Sequence, residues 1–61
     1  MLFEKEYREA EEKIYKRGYI VENMTEPYND LFEILDKNGK VVMEYLSLTQ
    51  LQQLAEVIKT A

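Results

Sequence analysis

The side chains able to do chemistry in this sequence are nearly all carboxylates: Asp and Glu number 12 against 8 Lys and Arg, and neither Cys nor His occurs. Those two absences remove thiolate nucleophiles, imidazole general bases, Cys/His zinc sites and iron–sulfur clusters together. A carboxylate-pair hydrolase needs two acids converging in one pocket, and no spacing singles out such a pair. Ser47, the only serine, stands at a helix start with no activating base in sequence context. Gly18 and Gly39 are too far apart to cradle a phosphate. Asp36-Lys37-Asn38-Gly39 resembles the opening of a calcium loop but lacks the closing acid, so it reads as a turn. The chain is expected to be no enzyme and to bind no cofactor or metal.

What the carboxylates do offer is an uneven field. Residues 3–17 balance Glu4, Glu6, Glu9, Glu11 and Glu12 against Lys5, Arg8, Lys13, Lys16 and Arg17, so the net charge of −4 arises wholly after them. Glu22, Glu26, Asp30, Glu33 and Asp36 then follow with no base among them, interleaved with Tyr28 and Phe32. Carboxylates on a rigid hairpin can reproduce phosphate charge and steer a module onto a basic groove. Glu22, Glu26, Tyr28, Asp30, Glu33 and Asp36 are therefore the candidate partner-binding residues, and the expected partner is a protein with a basic surface. The alternative is a small structural homodimer or subunit whose acids only keep the sheet soluble and blunt its edges. Lys13, Lys16 and Arg17 with Tyr15 and Tyr19 form a basic-aromatic cluster of the kind that holds nucleic acid. A helix C-terminus collects cations for dipole reasons, however, and a net negative chain repels a polyanion, so no direct nucleic-acid binding is expected.

The elements that position these groups follow from periodicity. Phe3, Tyr7, Ala10 and Ile14 fall within a sector about 60° wide on a helix. Glu4/Arg8, Glu9/Lys13 and Glu12/Lys16 are acid-first i,i+4 pairs along it, and Gly18 is a left-handed stop. Residues 19–24 read as a strand, residues 25–29 as a loop broken by Pro27, and residues 31–35 as a second strand. Asn38-Gly39 marks a hairpin. A three-residue loop with Gly39 left-handed sets Asp36 against Lys40, and is preferred over a two-residue loop that would oppose Lys37 to Lys40 and Glu33 to Glu44. In that register Phe32, Ile34 and Val42 share one face, and Leu31, Leu35, Val41, Met43 and Tyr45 the other.

Residues 41–46 form the third strand. Ser47 and Gln50 then make a capping box, with Leu46 and Leu51 at hydrophobic-staple positions. Leu48, Leu51, Leu54, Ala55 and Ile58 share one face of the helix that follows. The expected fold is a single α+β domain over residues 1–61, α-β-β-β-α, with a three-stranded antiparallel sheet packed with two helices. One sheet face should stay partly exposed. The outer side of the second helix, with Gln50, Gln52, Gln53 and Val57, is where a second copy of the chain would pack. The longest apolar runs are a few residues against the roughly 20 a bilayer needs, so no membrane partner is expected. The charged start lacks the order of a secretory signal, which points to the cytoplasm.

In size, acidity, lack of Cys and His, and α-β-β-β-α order, the chain resembles small phage-encoded inhibitors of the anti-CRISPR type. The resemblance implies a protein that occupies a nuclease's nucleic-acid channel with acidic side chains. It covers the chain in outline and assigns no residue a role.

Overall fold

A computed structural model describes residues 4–60. Five elements follow in the expected order: α1 (Glu4–Lys16), β1 (Ile20–Asn23), β2 (Phe32–Leu35), β3 (Val41–Leu46) and α2 (Leu48–Val57). No helix among the described residues is long and apolar enough to cross a membrane.

The helix α1 carries Glu4 and Glu6 in its first turn and Lys13 and Lys16 in its last, matching the macrodipole. Its stripe buries Ala10 and Ile14 and packs Tyr7 against them; Phe3 lies outside the described residues. Glu4–Arg8 and Glu12–Lys16 form at 2.7 and 3.2 Å. The expected Glu9–Lys13 pair gives way to a tertiary one, because α2 packs alongside and Lys13 Nζ donates to Glu56 at 2.6 Å. At the end of α1, Gly18 adopts φ 96°. Its N–H donates to Tyr15 O at 2.9 Å and the N–H of Tyr19 to Ile14 O at 3.4 Å. This is the Schellman arrangement, and it returns Tyr19 to the core.

The sheet is antiparallel with β2 in the middle. The β2–β3 turn is the expected three-residue loop. Asp36 N–H donates to Lys40 O at 2.9 Å, Gly39 N–H donates to Asp36 O at 3.0 Å, and Gly39 has φ 81°. Asp36 Oδ1 accepts from the N–H groups of Asn38 and Lys40, both at 2.9 Å. Beyond the turn the expected register fails twice. Leu35 lies opposite Val41, but Ile34 lies opposite Met43 and Phe32 opposite Leu46, so β3 carries two extra residues. Each is a bulge, where two residues face one on the partner strand. Met43, not Val42, is thus the residue set across from Ile34.

Both helices cover the face that bears Val21, Phe32 and Ile34, which join Ala10, Ile14, Leu51 and Ala55 in one core. Tyr7 stacks on Phe32 with ring centroids 5.0 Å apart. The helices pack chiefly on each other, with α1 on β1, while α2 touches β3 only lightly. Met43 is consequently 45% exposed despite its inward register. Both capping-box bonds at the start of α2 are made: Ser47 N–H donates to Gln50 Oε1 at 2.8 Å and Gln50 N–H to Ser47 Oγ at 3.2 Å. Leu48, Leu54 and Ile58 flank buried Leu51 and Ala55, as the spacing requires.

Two substitutions test this layout. Ser47→Ala should lower stability by about 1 kcal/mol through loss of the cap. A Cβ at Gly39 would meet nothing within 4 Å, so Gly39→Val should cost on the order of 1–2 kcal/mol for backbone conformation alone, and Gly39→Asn much less. Thermal and urea melts report all three; unchanged midpoints for Ser47→Ala and Gly39→Val would contradict the cap and the turn.

Candidate functional site

The uncovered face of the sheet is built by strand alternation. Opposite residues on neighbouring strands share a side, so Val21 and Ile34 turn toward the helices while Ile20 and Leu35, and Glu22 and Glu33, turn away. Pairing continues one step past β1, where Met24 N–H donates to Leu31 O at 2.9 Å, adding that pair to the open side. Across the hairpin Val41 joins Leu35. In the second bulge Glu44 and Tyr45 together oppose the single residue Glu33. A row of carboxylates, Glu22, Glu33 and Glu44, therefore crosses all three strands. It runs between an apolar row of Ile20, Leu35 and Val41 and the Met24–Leu31 pair.

The candidate residues fall in three places. Glu22 and Glu33 are brought face to face. Glu26, Tyr28 and Asp30 lie exposed on the β1–β2 loop. In that loop the Glu26–Pro27 peptide is cis. Hydrogen bonds from Tyr28 N–H to Thr25 O and from Leu31 N–H to Tyr28 O, both 2.9 Å, hold it. Asn23 Nδ2 adds a bond to Asn29 O at 2.7 Å. Asp36 sits at the opposite end of β2, and one of its carboxylate oxygens closes the hairpin turn. Glu44 and Tyr45 were not among the candidates. The bulge that brings them to Glu33 has no glycine to announce it, and Tyr45 itself takes the left-handed conformation, φ 61°. Its ring meets Tyr28 edge to face at 5.4 Å. Both rings stay near half exposed, at 46% for Tyr28 and 52% for Tyr45.

No ion pair among the described residues neutralises the row. The ion pairs among the described residues join Arg8 to Glu4, Lys13 to Glu56 and Lys16 to Glu12, and none reaches Glu22, Glu33 or Glu44. The basic end of α1 is instead tied to α2: the Lys13 ammonium is held charged above its usual range by its hydrogen bond to Glu56, then by that carboxylate's charge. No three-carboxylate group that could hold a metal occurs among the described residues. Tyr7 senses the acids from the core side. Burial raises its phenol to about 12, helped by the charge of Glu11, by donation to Glu11 Oε2 at 3.2 Å, and by the charge of Glu22.

Like charges directly opposite on neighbouring strands destabilise a sheet by a few tenths to about 1 kcal/mol. Glu33→Gln should therefore raise the urea midpoint, and an unchanged or lower midpoint would show that the row carries no strain. Tyr7 supplies a second check. Its phenol is raised in the fold, so the stability it contributes is present below its ordinary value of 10.0 and is lost as pH climbs through about 12. Alkaline titration at 295 nm should show a tyrosine step near pH 12 in wild type that is missing from Tyr7→Phe.

No family model, curated protein or solved structure matches the chain, so the face is interpreted from its own geometry.

Proposed function

We propose that the open sheet face docks on a basic surface of a partner protein, and that the chain is a non-enzymatic interaction module. In its sharpest form it is an inhibitor whose carboxylates stand where the partner would receive nucleic-acid phosphates, as in the anti-CRISPR type of protein it resembles. One observation carries this reading. Glu33 lies half-buried on the central strand, flanked on both neighbouring strands by further carboxylates. Acids that only blunt sheet edges belong on edge strands, and Glu33 is not on one. A basic partner would turn the mutual repulsion of the row into attraction and steer the encounter.

A second copy of the chain fits this face poorly, because a two-fold contact would set one acidic row against its twin. The free edge of β3 is broken by its two bulges, a device that hinders edge-to-edge pairing.

Parallel affinity capture from the source cell tests the proposal with three baits. They are the wild-type chain, a Glu22→Lys/Glu33→Lys/Glu44→Lys variant, and a Glu4→Lys/Glu9→Lys/Glu12→Lys variant of equal charge change. The expected result is a basic protein held by the first and third baits, lost from the second, and released from both as salt rises. Equal capture by all three would reduce the acids to solubility chemistry. A melting temperature that rises with protein concentration would favour the homodimer instead.

A further inference from the structure

We infer that the anchor of this docking face is the Tyr28–Tyr45 pair, and that its occupant is an arginine side chain of the partner protein. The inference rests on the docking reading above and names its central contact. Neither ring belongs to the core or flanks it. Both stay about half exposed in an edge-to-face pair, an arrangement that leaves ring faces open.

Charge complementarity selects what those faces receive. Tyr45 shares its bulge with Glu44, opposite Glu33, and Tyr28 shares its loop with Glu26 and Asp30. An aromatic face is electron-rich and attracts a cation, and the carboxylates beside it attract the same cation. A guanidinium satisfies both at once: its flat face stacks on a ring while its edge donates paired N–H groups to a carboxylate. A lysine ammonium is a compact, strongly hydrated point charge and can do only the second well. Arginine and tyrosine are also the residue types over-represented where interfaces hold most of their binding energy.

Peptide titrations followed by two-dimensional amide NMR test this at one ionic strength, using tetra-arginine, tetra-lysine and tetra-citrulline amides. Tetra-arginine should bind at least about threefold tighter than tetra-lysine, with the largest shifts at Tyr28, Tyr45 and Glu33, and tetra-citrulline should not bind. Tyr45→Gly relieves the left-handed backbone and removes the ring. It should leave the melting temperature level or higher while abolishing the arginine preference. Tyr45→Asn, which also tolerates that conformation, should do the same, and Tyr28→Ala should weaken the preference. A clear fall in the melting temperature of both Tyr45 variants would make the ring a structural prop and overturn the anchor. Equal binding of the arginine and lysine peptides, weakened alike by salt and by the Glu22→Lys/Glu33→Lys/Glu44→Lys variant, would also overturn it while leaving the docking face standing. If neither peptide moves a resonance on the open face, both readings fall.

Discussion

Everything in this fold depends on the contact of α1 and α2 with one side of the sheet through Ile14, Ile34 and Leu51, the largest side chains that are fully buried. A chain of this length has apolar surface for one such layer and no more. Once both helices are committed to that side, no described element covers the opposite side of the sheet, whatever its side chains. Its composition is then free to answer to something other than the core. It mixes a row of carboxylates with Ile20, Leu35 and Val41, neither the uniformly polar surface of a solvated sheet nor an apolar one awaiting a third layer.

Much of this was legible in the sequence because it is written in local rules. Gly18 and Gly39 sit where left-handed backbone is required, Ser47 and Gln50 form both bonds of their box, and the α1 stripe buries Ala10 and Ile14 and packs Tyr7 against them. The preferred hairpin loop is also the one formed. What stayed hidden depends on relations between elements. Lys13 prefers Glu56 to Glu9 only because α2 lies alongside. The β3 bulges arise from fitting six residues against four, and no glycine marks them. The hairpin loop that avoids opposing Glu33 to Glu44 is therefore followed by a bulge that brings Glu44 back across from Glu33. Along the chain the candidate residues form one ribbon; in space they part into three places, and only Glu22 and Glu33 join Glu44 in the row across the strands.

The two halves of the molecule handle charge in opposite ways. On α1 and between the helices, three short ion pairs join Glu4 to Arg8, Glu12 to Lys16 and Glu56 to Lys13, so much of that region's charge is balanced locally. On the open face the acids are left with one another, and their potential extends over roughly a Debye length, about 8–10 Å in physiological salt. Repulsion within the row is small beside the gain from the buried core, which is why the fold tolerates it.

The core is closed by the first and last elements of the chain, and this constrains the order of assembly. Ala10 and Ile14 are synthesised early, whereas Leu51 and Ala55 arrive only with α2. During synthesis α1 must wait with its stripe exposed, and the β2–β3 hairpin, whose contacts are short in sequence, is the unit able to form ahead of it. The native core thus cannot close before α2 has left the ribosome: a nascent fragment lacking α2 keeps its apolar stripe unclaimed, a ready target for chaperones and proteases.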